Sequence, residues 1–262
     1  MYPNLFSIGP FTIHSYGLFL ALAFLLGLRV ATHYGKRENL EPSVITDLVV
    51  YIFVSALVGA KLLLIIVDFD YYRVDWGRLL SIYQVGGVFY GGFIAAFIVS
   101  LLFMRKRQLN FWQTADVLCM GIAFGQILGR LGCFLAGCCW GRPAPGFPLA
   151  VTFTRPEAAE QVGTPLHVPL HASQLYEALP MIFVFLILAL SYNRRKFSGQ
   201  QLSLYLLLYS ILRFNVEFFR GDPRGFWGFV STSQIISLAA FAGALVIYFL
   251  RRDVKTVNVA GA

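Results

Sequence analysis

Seven apolar stretches of near-membrane length constrain this chain more than any other feature. They cover residues 14–32, 44–67, 85–104, 111–135, 174–191, 202–219 and 232–250. A run of about 20 predominantly apolar residues is enough to cross a bilayer as a helix. Of the 262 residues, 58% are hydrophobic and 13% charged, where a soluble domain carries about 25% charged residues. The expected fold is therefore an all-α integral membrane protein, a single polytopic domain over residues 1–262. The first ten residues lack a basic n-region and no small-residue cleavage site follows the first apolar run, so no cleavable signal peptide is expected. The formal net charge of +8 reads as a topology signal rather than as a surface for nucleic acid.

The basic residues fall after every second span: Lys36 and Arg37, then Arg105, Lys106 and Arg107, then Arg194, Arg195 and Lys196, and finally Arg251, Arg252 and Lys255. Connections rich in Lys and Arg stay in the cytoplasm, which puts the N-terminus outside and the C-terminus inside. The loop at residues 68–78 is mixed in charge. The polar, proline-containing stretch 140–172 carries Arg142, Arg155, Glu157, Glu160, His167 and His171. It is too long for a simple connection and is exterior by the alternation. It is predicted to be a small extracytoplasmic subdomain or a lid, with a disordered loop as the alternative. Residues 151–153 could supply at most one short strand.

That orientation gathers the intramembrane polar groups on one side. Arg130 lies in the outer part of span four, within GQILGRLGCFLAGCCWGRP (residues 125–143), and an arginine at a helix centre costs roughly 2.5–3.5 kcal/mol on insertion scales. An anionic lipid head group would offset that cost. Arg213, Glu217 and Arg220 follow at i, i+4 and i+7 in span six, a spacing that puts them on one helix face. His14, Tyr16, Lys61, Tyr90, His171, Gln174, Tyr176 and Glu177 fall in the outer halves as well. An ion-pair ladder between helices is the alternative for the Arg213–Glu217–Arg220 set. Three arginines against one glutamate would leave positive charge over, however, and the planar fork of arginine suits phosphate. His14 is expected to be a hydrogen-bonded interfacial histidine, and Tyr16 and Tyr176 can equally belong to an aromatic belt. The glycines of GGVFYGGF (residues 86–93) permit close approach of helices, or of a ligand to backbone N–H groups.

Cys133, Cys138 and Cys139 follow a C-x₄-C-C spacing, which is not a standard zinc pattern. Apolar packing is their expected role. A redox or metal centre and direct chemistry stay open as alternatives, and a membrane thiol-redox enzyme built on them is a competing reading. No metal site and no cofactor are expected.

The order of motifs resembles the prolipoprotein diacylglyceryl transferase family of bacterial inner-membrane enzymes. The motifs are IGPFTIHSYGLFLALAF near the start, GGVFYGGFIAA, GRLGCFLAGCCWGRP, LHASQLYE and RFNVEFFRGD. The resemblance implies transfer of a diacylglyceryl group from phosphatidylglycerol to the lipobox cysteine of preprolipoproteins, with release of glycerol phosphate. It implies location in the bacterial cytoplasmic (inner) membrane, with the lipid bilayer and preprolipoprotein signal peptides as partners. Tyr16, Arg130, Gly141, Arg213, Glu217 and Arg220 match the family's motifs. Three positions depart. Tyr90 stands where the family commonly has histidine, Cys133 where it has asparagine and Cys138 where it has glutamate. On this basis Arg130 and Arg213 are assigned to the phosphate. Tyr90 is the candidate for the proton, with ionisation of the substrate thiol by the positive field, without a dedicated base, as the alternative. Tyr16, Cys133, Cys138, Gly141, His171, Gln174, Glu217 and Arg220 are assigned to substrate binding. A divergent paralogue with another lipid donor or acceptor, or a non-catalytic anionic-lipid transporter, is the alternative.

Overall fold

The computed structural model describes residues 2–8, 11–74, 87–223, 225–227 and 229–254. Gly9 and Pro10 of the first motif, residues 75–78 of the charged loop, positions 85 and 86 at the start of the third expected span, and Lys255 lie outside the described residues. The chain opens with a hairpin, β1 (Asn4–Ile8) and β2 (Phe11–His14), followed by α1 (Ser15–Arg37), α2 (Pro42–Val67), the short α3 (Phe69–Val74), α4 (Phe89–Lys106) and α5 (Phe111–Ala136). Next come β3 (Val151–Thr152), α6 (Pro156–Val162) and β4 (Pro169–Leu170), then α7 (Ser173–Tyr192) and α8 (Gln200–Val216). A 3₁₀ turn at Glu217–Phe219, the strands β5 (Phe226–Trp227) and β6 (Val230–Ser231), and α9 (Thr232–Arg251) complete it. Among the described residues seven helices are long and apolar enough to cross a membrane, so the protein is an all-α, multi-pass membrane protein.

Local sequence explains where these helices begin and which way they face. Pro42 stands in the first turn of α2, where its missing N–H is no loss. Ser231 and Gln234 close a capping box on α9. In α7 the buried residues Gln174, Glu177, Ala178, Met181, Val184, Leu188 and Tyr192 recur every three or four positions. One face therefore packs into protein, and the other is left for lipid. Large apolar side chains such as Ile66, Leu190 and Leu250 point outward.

The chain divides into two compact units, Met1–Tyr34 with Ala115–Ala262, and Gly35–Thr114. In the second unit α2 packs against α4. The contact depends on Gly59 and Gly91, since a Cβ on Gly59 would stand 2.5 Å from the Gly91 carbonyl and one on Gly91 would meet the Gly59 carbonyl and Leu63. Of the two uses that the span-three glycines permit, this is close helix approach.

In the first unit α8 packs against both α7 and α9, and Ser203 donates to the Ala244 carbonyl across the α8–α9 contact (2.7 Å). Phe124 of α5 meets Phe185 of α7 edge-on. Asp116, buried near the start of α5, accepts from the backbone N–H groups of Gly199 and Leu202 at 2.8 Å each. It thus caps α8 from another helix and satisfies two of its orphan donors. The basic ends of this unit lie together. Tyr34 contacts Tyr192, Arg195 stacks over Tyr192 at 4.3 Å, and Phe197 meets Tyr248. The basic clusters after α7 and after α9 therefore lie at one end of this unit.

Residues 140–172 are ordered rather than a disordered loop. Strands β3 and β4 pair antiparallel. Phe153, Ala158 and Leu170 are buried beneath them, and Thr164 ties the segment to the end of α5 through the Gly137 carbonyl (3.0 Å). Residues 151–153 supply one short strand, as expected, and Pro169–Leu170 is its partner.

Candidate active site

At the end of the first unit opposite its basic ends, α5 carries Arg130 toward the start of α7. Its Nη2 lies 2.8 Å from Oε1 of Glu177, a carboxylate that is fully buried. Tyr209 of α8 donates to the same oxygen (3.3 Å), while Oε2 of Glu177 is buried with no hydrogen-bond partner among the described residues. Arg213 pairs with Glu217 at 2.6 Å and donates to Ser233 of α9 at 3.0 Å. Arg220 forms a bidentate pair with Asp222, both bonds 2.9 Å. Burial disfavours the charged Arg220 guanidinium, but its bonds to Asp222 and the neighbouring Cys139 thiol outweigh this and hold its pKa above the ordinary arginine value.

Two expectations are corrected here. The sequence spacing places Arg213, Glu217 and Arg220 on one helix face, but α8 ends at Val216, a single 3₁₀ turn follows, and Arg220 is extended at φ −76° and ψ 137°. Gly221 and Pro223 follow immediately, and both punctuate helices. The expected surplus of positive charge is also absent from the three arginines, because each has a carboxylate partner in Glu177, Glu217 or Asp222. Glu177 comes from another helix, and Asp222 stands two residues past Arg220, beyond the apolar run.

Gly141 sits where three segments of backbone meet. It bridges to Arg220, while Arg142 N–H donates to the Phe219 carbonyl (2.8 Å) and His171 N–H to the Arg142 carbonyl (3.0 Å). Arg142 Nε also donates to the Arg220 carbonyl (3.1 Å). His171 is 3.2 Å from the Tyr176 hydroxyl, and both rings pack against Phe219. Beside them an apolar recess of about 360 Å³ is lined by Phe147, Tyr176, Leu212, Asn215, Val216 and Phe219. Tyr176 therefore belongs to this recess rather than only to an aromatic belt.

Gln174 is fully buried. It donates to the Cys138 carbonyl at 2.7 Å, and its own Oε1 is unpartnered among the described residues. The Cys133, Cys138 and Cys139 sulfurs converge. Hydrogen bonds with the other two thiols push Cys138 up and draw Cys139 down, the latter helped by the charges of Arg220 and Arg130. Tyr16, in the first turn of α1, is within electrostatic reach of Arg130 and of the three thiols. His14 bonds Asn4 of the opposite strand through Nδ1 at 2.8 Å, as expected of an interfacial histidine. Lys61 and Tyr90 belong to the second unit, with Tyr90 half-exposed in the first turn of α4 against Phe89.

Of the assigned residues, Tyr16, Arg130, Cys133, Cys138, Gly141, His171, Gln174, Arg213, Glu217 and Arg220 all lie in the first unit. The structure adds Glu177 and Tyr209, which hold Arg130 in place. Arg130 is an intramembrane cation, and that alone called for a carboxylate partner.

Comparison with known proteins gives a family match over nearly the whole chain. The profile of the family described as "Prolipoprotein diacylglyceryl transferase" matches residues 3–250. A phosphatidylglycerol–prolipoprotein diacylglyceryl transferase of Finegoldia magna is 35% identical over 243 residues, 92% of each chain. Its namesake in Clostridium tetani is 33% identical over 253 residues, covering 96% of this chain and 98% of that one. One from Escherichia coli is 30% identical over 265 residues, covering 94% and 91%. With seven membrane helices, buried arginines at one end and matches along nearly its whole length, the chain belongs to the prolipoprotein diacylglyceryl transferase family.

Proposed function

We propose that the protein transfers a diacylglyceryl group from phosphatidylglycerol to the lipobox cysteine of preprolipoproteins, at the outer face of the bacterial cytoplasmic membrane. The observation that carries this reading is the Arg130–Glu177 pair, held in the same unit as Arg213 and as the apolar recess at Phe219 and Tyr176, on a chain of this family. The recess suits an acyl chain, and the arginines suit the phosphate.

The sulfur of the acceptor cysteine attacks the glycerol carbon that carries the phosphoryl oxygen. The C–O bond breaks, a C–S bond forms, and glycerol phosphate leaves with its bonding electron pair. The thiol proton passes by way of Tyr90 to the departing phosphate. Charge therefore grows on the phosphate oxygen in the transition state, where preorganised donors in a water-poor site act most strongly. Arg130 and Arg213 supply these donors and Arg220 helps draw in the head group. Glu177 is the positioning residue that fixes Arg130. Tyr16, Gly141, His171, Gln174, Glu217, Cys133 and Cys138 shape the surroundings of the substrates. Tyr90 is assigned the proton from its place in the sequence motif.

The purified protein in detergent with phosphatidylglycerol and a lipobox peptide is expected to yield a thioether-linked diacylglyceryl peptide and glycerol phosphate, read by mass spectrometry. A folded, lipid-bound protein that modifies no lipobox peptide would sink the reading and point to a paralogue with other chemistry. Orientation has its own test. In intact spheroplasts, Gly163→Cys is expected to react with a membrane-impermeant maleimide and Arg195→Cys to be protected. The reverse pattern would put the site on the cytoplasmic face.

A further inference from the structure

We propose that Cys133, Cys138 and Cys139 form a trithiolate site for a soft, thiophilic cation with a filled d shell, zinc(II) or copper(I). The site goes beyond the transfer reaction, and its test reads metal content rather than transfer.

Spacing alone argues against it. On a continuous helix, positions five apart point about 140° away from each other. The helix does not continue, however. α5 ends at Ala136, and Gly137 at φ 85° and Cys139 at φ 61° turn the chain back. The three sulfurs consequently lie within 4.8 Å of one another. A metal–sulfur bond of about 2.3 Å needs sulfurs roughly 3.8–4.0 Å apart in tetrahedral or trigonal geometry, so small side-chain adjustments suffice. All three cysteines are free.

The turn is held by groups beyond the one thiol contact, Cys138 Sγ to the Cys133 carbonyl at 3.7 Å. Three successive carbonyls each accept from a different side chain: Gly137 from Thr164 at 3.0 Å, Cys138 from Gln174 at 2.7 Å and Cys139 from Ser173 at 2.7 Å. Thr164 and Gln174 are buried. Outer groups that fix ligands in advance are the mark of a metal site. A cysteine that merely fills space does not need these anchors.

Charge fits too. Three thiolates around zinc(II) leave one net negative charge, and around copper(I) two. The buried Arg220, with Nη1 unpartnered among the described residues, and Arg130 both act on the cluster. The ligand set is all sulfur, which selects soft cations over magnesium or calcium. Copper(I) would be satisfied by the three thiolates in a plane. Zinc(II) would keep a fourth position for an outside donor.

The test uses the full-length protein in detergent, stripped with chelator and loaded separately with zinc(II) and copper(I). Metal content is measured by mass spectrometry after gel filtration, and cobalt(II) serves as a spectroscopic stand-in for zinc. Stoichiometric retention of one ion is expected, with thiolate-to-cobalt charge-transfer absorption if that ion is zinc. Retention is expected to be lost in Cys133→Ser, Cys138→Ser and Cys139→Ser but kept in Cys119→Ala, whose thiol is elsewhere on α5. Gel filtration of the serine variants without metal shows whether they fold. Equal alkylation of the three thiols with and without either ion would overturn the proposal, and so would a disulfide among them or metal content unchanged by the three serine variants.

Discussion

Arg130→Ala is expected to lower diacylglyceryl transfer by on the order of 10²–10³, the usual effect of removing one donor from a site of developing negative charge. The single variant confounds two effects, because Arg130 is also the partner of the fully buried Glu177. Breaking a buried pair by removing one member costs about 3–5 kcal/mol, and some of the lost activity would then be lost fold. The double variant Arg130→Met with Glu177→Gln separates them. It removes both charges, keeps the volume and leaves Tyr209 an acceptor at position 177. Its melting temperature in detergent is expected to return close to that of the parent while transfer stays undetectable. Arg130→Lys is expected to keep the pair but rescue transfer poorly, since lysine lacks the fork of donors that matches a phosphate. If the double variant regained transfer, Arg130 would be a structural strut and the phosphate would be held elsewhere.

The pairing that makes this design necessary was hidden in the sequence for a physical reason. Arg130 and Glu177 are 47 positions apart and on different helices, so no local period relates them. Hydropathy, by contrast, is a local property, and the seven spans were legible within a few residues at each end. For example, residues 111–135 became Phe111–Ala136 and residues 232–250 became Thr232–Arg251. The charge alternation was legible for the same reason, and the contact of Tyr34 with Tyr192 and of Phe197 with Tyr248 gives it a geometric counterpart.

Helical spacing misled where the helix stopped earlier than the apolar run. The i, i+4, i+7 reading of Arg213, Glu217 and Arg220 assumed a helix that ends at Val216, and Gly221 was the available signal. The C-x₄-C-C spacing matches no standard zinc pattern, and the convergence of its sulfurs comes from the turn after Ala136, which no spacing rule encodes. Asp116 was missed for a different reason. A lone aspartate in an apolar span reads as a cost until the start of α8, 83 positions away, supplies Gly199 and Leu202 as its donors.

Gly141→Ala is expected to lower transfer by about 10²-fold with little change in helix content. The added Cβ would meet the His171 carbonyl and stand 2.7 Å from the His171 Cβ and 2.8 Å from the Phe219 carbonyl. Two of these three are backbone oxygens, which cannot rotate away as a flexible side chain can. Gly221 faces the same junction from the other side, 2.7 Å from the Gly141 carbonyl where its Cβ would be. Relief therefore requires one of three segments to move, and these segments carry Arg220, His171 and the turn that follows α5. Overpacking of this kind costs typically about 1–3 kcal/mol, which a membrane bundle anchored by its own helix contacts can withstand. A shift of about 1 Å in groups that hold the substrate can nonetheless cost about 10²-fold in rate. The measurements are transfer activity, circular dichroism and hydrogen exchange in residues 140–172, which should exchange faster in the variant. Gly129→Ala is the matched control, since its Cβ meets nothing within 4 Å and alanine favours a helix interior. It should transfer as the parent does. Parental activity in Gly141→Ala would show that the junction can open without moving Arg220, and would separate the head-group arginine from the reaction.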